Sequence, residues 1–120
     1  MDKWQAIQSF WSSFGLPAYD EASVPDDAVL PYITYNATVD SLDSPTVLSG
    51  DIWYKSTSWE DVSKKADEIN NNLVNGGVTI SLDIGYLWIV KGQPFAQRIA
   101  EEDDNIKHVY IVLMGEFLTY

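Results

Sequence analysis

The chain predicts an α+β domain with a largely antiparallel sheet, on three observations. Two segments carry apolar residues at helical spacing. Five or six others read as strands, most of them grouped in runs rather than alternating with helices. The last of these, from about Lys107 to Leu118, is apolar on both of its faces. Runs of strands broken by only two helices favour sequential antiparallel pairing over a parallel, helix-wrapped sheet. A strand that is apolar on both sides needs cover above and below, and two helices in 120 residues supply little of it.

The first helix opens at Asp2, whose side chain can cap it. Trp4, Ile7, Trp11 and Phe14 then fall on one stripe, Phe10 widens it, and Gly15 is placed to end it. Pro17, Pro25 and Pro31, with Asp20, Glu21, Asp26 and Asp27 between them, follow. That segment can enter neither a sheet interior nor a long helix, and is expected to be an extended connection.

From Tyr32 to Asp40 the sequence alternates, with Ile33, Tyr35, Ala37 and Val39 on one side and Thr34, Asn36 and Thr38 on a wet side. Ser41 to Pro45 has turn chemistry, and a second strand runs from Thr46 to Ser56, with Gly50 as a candidate bulge; the two strands form a hairpin. Ser58 and Asp61 resemble a capping box. Trp59, Val62, Ala66, Ile69 and Leu73 make the second helical stripe, ended by Gly76-Gly77. The opposite face, with Glu60, Lys64, Lys65, Asp67, Glu68, Asn71 and Asn72, is solvated.

Val78 to Ile80, Tyr86 to Lys91 and Gln93 to Ile99 read as three strands, the last two separated by a turn at Gly92 and Pro94. In the final strand, Tyr110, Val112 and Met114 share one face and Val109, Ile111 and Leu113 the other. The second helix can cover one side. The first helix or a neighbouring subunit must cover the other.

At 120 residues the chain fits one domain, 1–120, able to bury about 65% of its unfolded surface. Without cysteine it holds neither disulfide nor thiolate metal site, and no apolar run approaches the ~20 residues of a membrane span. The opening Met1-Asp2-Lys3-Trp4 belongs to an amphipathic pattern rather than a signal peptide, so a soluble, unprocessed protein is expected. Eighteen acidic against seven basic residues give a net charge of −11. Such a surface repels the phosphate backbone and anionic lipid, which argues against direct nucleic-acid or membrane binding.

The candidate chemistry is sparse. His108, the sole histidine, could act as a base only beside a nucleophile or an orienting carboxylate. Glu101-Glu102-Asp103-Asp104 could hold a hard cation but lacks the alternate spacing and glycine of a calcium loop, so a solvated hairpin tip explains it better. The glycines match no phosphate-binding fingerprint. Trp53, Tyr54 and Trp59 could stack on bases or sugars, but core packing suits them better in so acidic a chain. Arg98, the sole arginine, suits either a bidentate pair across an interface or an ion pair within the subunit.

One resemblance spans most of the chain. The segments are Ile80 to Gly85, Leu87-Trp88-Ile89, Lys91-Gly92, Pro94-Phe95-Ala96-Gln97-Arg98, the acidic turn Glu101 to Asn105 with Ile106, and Tyr110-Ile111-Val112-Leu113 through Glu116-Phe117-Leu118-Thr119. Upstream stand a Trp-containing first helix, Pro31-Tyr32-Ile33-Thr34-Tyr35, and Gly50-Asp51-Ile52-Trp53 before a Ser-capped helix. Together these resemble the tail-terminator, or tail-completion, proteins of long-tailed bacteriophages and prophages.

The resemblance implies a non-enzymatic α/β subunit of the virion, assembled in the host cytoplasm, with no cofactor and no metal. It implies a homo-oligomeric ring, expected to be a hexamer, at the head-proximal end of the tail. There it would bind the major tail tube protein, halt tube growth and meet a head-completion or stopper protein, while genomic DNA passes through without specific binding. The interface segments it suggests contain Pro94, Phe95, Gln97, Arg98, Glu101, Glu102, Asp103, Asp104, Tyr110, Val112 and Met114. Alternatives from other classes are another neck component, an acidic nucleic-acid mimic that fills a basic cleft, and a small metal-assisted enzyme using Glu101, Asp103 or Asp104.

Overall fold

The structure is a computed structural model that describes residues 1–36 and 46–119. In chain order the elements are α1 (Lys3–Ser12), β1 (Ala18–Asp20), β2 (Tyr32–Tyr35), β3 (Thr46–Lys55), α2 (Glu60–Asn72), β4 (Val78–Leu82), β5 (Gly85–Ala100) and β6 (Ile106–Thr119). One six-stranded sheet in the order β1-β2-β3-β6-β5-β4 holds every strand among the described residues. All pairs are antiparallel except β1 with β2, so the expected α+β class is the class observed. β6 has fourteen residues. At about 3.3 Å each it accounts for the 47 Å long axis of the molecule.

α1 begins as its sequence dictates. The Asp2 carboxylate accepts from the Gln5 N–H at 2.8 Å, and the Gln5 side chain accepts from the Asp2 N–H at 2.9 Å, a reciprocal capping box. Gly15 follows with φ +80°, the left-handed turn that stops the chain. Ile7, Phe10, Trp11 and Phe14 are buried, but Trp4 is 47% exposed. It sits in the first turn, where the helix has reached the edge of the sheet beside the β4–β5 turn.

α2 starts one residue later than the sequence suggests. The Ser58 hydroxyl accepts from the Glu60 N–H at 3.1 Å, and the Asp61 half of the expected capping box is not formed. Val62, Ala66, Ile69 and Leu73 are buried, while Trp59 lies half-buried at the rim. The solvated face carries Glu60 paired with Lys64 at 3.0 Å and Glu68 with Lys65 at 2.7 Å. Lys65 also donates to the Phe14 carbonyl at 2.7 Å, tying the end of α1 to α2.

Several expectations about the strands are corrected. The Pro-containing connection contributes a strand after all, β1, which is three residues long and occupies the sheet edge. A central position stays closed to it because Pro17 precedes it. Gly50 marks no bulge, since β3 pairs with β6 in unbroken register from Thr46–Gly115 to Lys55–Ile106. Its missing side chain makes room for Trp11, whose ring would lie 2.6 Å from any Cβ there.

The turn expected at Gly92 and Pro94 does not reverse the chain. β5 runs through it, and Lys91 faces Leu113 while Ala96 faces Ile111, so five steps on β5 match two on β6. The three extra residues form a bulge that presses Gly92 onto the Val112 backbone, where a Cβ would meet the Val112 carbonyl at 2.8 Å.

The β2–β3 hairpin forms in the expected antiparallel sense, with Ile33 opposite Ile52. β2 ends at Tyr35, and its second face is not wet: Thr34 is buried and accepts from the Trp53 indole N–H at 3.0 Å. The expected positions at 37–40 and the turn at 41–45 lie outside the described residues.

Candidate interaction surface

Residues opposite each other in a ladder share a face of the sheet. One face takes Leu48, Ile52, Leu87, Ile89, Val109, Ile111, Leu113 and Phe117, all at most 4% exposed. Both helices lie on this side. Trp11 of α1 rests on Gly50, and Gln8 bonds the Tyr35 hydroxyl. Asn70 and Ser63 of α2 accept from Lys91 at 3.0 Å and from Arg98 at 3.5 Å. The first helix therefore does not cover the second face of β6, and α2 covers the same side as α1.

Among the described residues, the other face has no helix. Val47 stands beside Met114, Val90 flanks Met114 from β5, Ser49 faces Val112, and Tyr86 faces Leu118. Val47, Tyr86, Trp88 and Leu118 are 54%, 38%, 39% and 43% exposed, while Tyr110, Val112 and Met114 are half-buried. An apolar stripe several strands wide on a chain of net charge −11 is the kind of surface that marks contact with another macromolecule. The alternation of β6 placed Tyr110, Val112 and Met114 together on this stripe, as the sequence indicated.

The other suggested interface residues are dispersed. Pro94 and Phe95 lie in the bulge and line a groove of about 720 Å³ against Leu73 to Gly77. Gln97 points to the open face, whereas Arg98 points to the helix side. Arg98 makes no ion pair among the described residues; its guanidinium lies 5.1 Å from the centre of the Trp59 ring, with Lys107 at 5.3 Å from the same ring. Trp59 thus packs under two cations rather than in the core proper. Because this contact is at the surface, Arg98→Ala is expected to change stability by less than about 1 kcal/mol in chemical denaturation. A larger loss would mean that Arg98 is a structural anchor.

Glu101 to Asp104 form the exposed tip of the β5–β6 hairpin. Asp103 caps the turn by accepting from the Asn105 N–H at 2.9 Å, and Lys107 donates to the Asp104 carbonyl at 2.7 Å. Among the described residues no group of three or more His, Asp or Glu side chains is arranged to hold a metal ion.

His108 is 8% exposed and faces the open side. Its Nε2 lies 2.5 Å from Asp51 Oδ1, its Nδ1 lies 2.9 Å from Glu101 Oε1, and its ring stacks on Trp53 with centres 3.7 Å apart. Neither carboxylate was expected beside it from the sequence, because Asp51 is 57 residues away. Burial pulls the imidazole pKa down, but the hydrogen bonds its ring donates to both carboxylates, aided by their charges, outweigh it and raise the value above the ordinary 6.5. With both ring nitrogens donating, the imidazolium offers no lone pair to a substrate.

A group whose pKa rises on folding stabilises the fold fully below its unfolded value and loses that contribution as pH climbs through its folded value. Thermal stability is therefore expected to fall as pH rises above about 6.5, and His108→Gln should flatten that dependence in melts recorded across pH.

No protein-family description matches the chain, and no curated protein matches it. Among solved structures, a chain from one described as the virion of a native gene transfer agent particle is similar in fold. It matches with a TM-score of 0.54 and 14% identity, over 91% of this chain and 81% of that chain.

Proposed function

We propose that the protein is a non-enzymatic structural subunit of a phage-type tail: a ring, hexameric by expectation, that caps the tail tube, stops its growth and offers a joining surface towards the head. The observation that carries this reading is the apolar face of β3, β6 and β5, partly exposed among the described residues, with both described helices on the opposite side. Such a subunit has reason to associate with copies of itself, and a head-to-tail contact that closes gives a ring. The fold shared with a gene transfer agent virion chain supports a particle component. The placement at the tail end rests on the segments from Ile80 to Thr119 described above.

The partners under this reading are neighbouring copies, the tube protein and a head-side stopper, with DNA passing an acidic surface that gives its phosphates little to bind. Electron microscopy of tube protein assembled with and without the chain tests it. Tubes of limited length carrying an extra ring at one end are expected, and unchanged, uncapped tubes would sink the proposal. An acidic module that fills a basic cleft would instead leave the chain monomeric or dimeric in light scattering.

A further inference from the structure

The β5–β6 hairpin tip is tied to the sheet through His108. On β3 the imidazole meets Asp51, a strand residue held by the ladders to β2 and β6, at 2.5 Å. On the tip it meets Glu101, the first residue after β5 ends, at 2.9 Å. Trp53 stacks against the ring and is itself fixed by its bond to Thr34, so the imidazole cannot swing away to follow Glu101.

Two carboxylates on opposite nitrogens require both ring protons. A neutral imidazole has one, and the Asp51 bond is the shorter and the more rigidly placed. We propose that His108 is a proton-operated latch: charged, it holds Glu101 and with it the acidic tip against the sheet; neutral, it keeps Asp51 and lets Glu101 go.

The surroundings define the electrostatics of the switch. β3 presents Asp51 and, two residues beyond Trp53, Lys55; β2 presents the Tyr32 phenol opposite Trp53; β6 presents the Tyr110 phenol. Beside His108, β5 contributes only uncharged Gln97 and Ile99 on this face. The tip supplies Glu101 followed by Glu102, Asp103 and Asp104, whose mutual repulsion favours release once the cation is gone. Lys107 is held at the Asp104 carbonyl on the far side and does not replace the imidazolium. The raised pKa of His108 means that the latch is closed at the lower end of the physiological range.

As His108 is the only histidine, its ring resonances can be followed by NMR without ambiguity. On titrating the isolated chain upward, the midpoint should lie above 6.5, the ordinary value. The proton should leave Nδ1. At the same midpoint the order parameters of the Glu101 and Glu102 amides should fall from about 0.85 to below about 0.6, the range from rigid to flexible backbone. Glu101→Gln should lower the midpoint and leave the tip amides insensitive to pH.

Loss of the proton from Nε2, or a His108 titration that leaves the tip order parameters unchanged, would overturn the latch. Neither outcome bears on ring formation, because the measurement needs only the single subunit.

Discussion

Replacing Trp11 with Ala is expected to cost about 3–5 kcal/mol, the range for truncating a fully buried large aromatic residue, and to lower the melting temperature by on the order of 10–20 °C. Trp11 is 0% exposed and makes an edge-to-face contact with Phe10, with centroids 5.1 Å apart. Its ring fills the hollow left by Gly50. Small domains have about 5–15 kcal/mol of stability in all, so a sizeable unfolded fraction should follow.

The same contact makes a sharper expectation through Gly50→Ala. In the native background the new Cβ lies within 2.6–2.9 Å of three Trp11 ring atoms, and such overpacking costs about 1–3 kcal/mol. With Trp11 already truncated the clash is gone, and Ala in a strand interior is then no worse than Gly. Urea denaturation of both single variants and the double variant measures this coupling. An equal cost of Gly50→Ala in the two backgrounds would show that Gly50 serves something other than the ring of Trp11.

Met114→Glu is expected to abolish self-association while leaving the fold intact. Met114 sits mid-stripe between Val47 and Val90, on the face opposite the two described helices. A carboxylate there remains solvated in the monomer, so folding stability should change by about 1 kcal/mol or less. In a packed interface it would be an unpaired buried charge added to a chain already at −11, weakening association at least about a hundredfold.

Sedimentation velocity over a concentration series checks this: the native chain should shift to larger species, and the variant should stay monomeric with an unchanged circular dichroism spectrum. A variant that associates as well as the native chain would move the contact off this face. The apolar groove near Pro94 and Phe95 would then be the next surface to probe.

Much of the fold was legible in the chain because it rests on local regularities. The Asp2 cap, the stripes Ile7–Phe14 and Val62–Leu73, and the strict alternation of β6 each follow from the period of one element and need no knowledge of a neighbour. The open face follows in part from the same source. The residues of β6 announced that two sides needed cover, and Tyr110, Val112 and Met114 were assignable to one side before any packing was known.

What the sequence could not decide depends on residues far apart in the chain. A three-residue bulge at Gly92 and Pro94 has the same local chemistry as a reversing turn; only the pairing of β5 with β6 on both sides of it distinguishes them. β1 exists because β2 offers it an edge, and three residues carry no period of their own. Gly50 looks like any strand glycine until Trp11, 39 positions earlier, is laid upon it. His108 had no visible partner until β3 and the hairpin tip delivered two carboxylates to it.

By itself, then, the sequence determined both helices and most strands, the largely antiparallel class, the acidic surface and the demand for cover on both sides of β6. Each of these is fixed by composition or by the spacing of residues within one segment. Only the tertiary structure decided that both helices fall on one side, because that depends on α2 crossing from β3 over β6 and β5 to β4. That crossing is what leaves Val47, Met114 and Leu118 facing outward, and the proposed assembly follows from it.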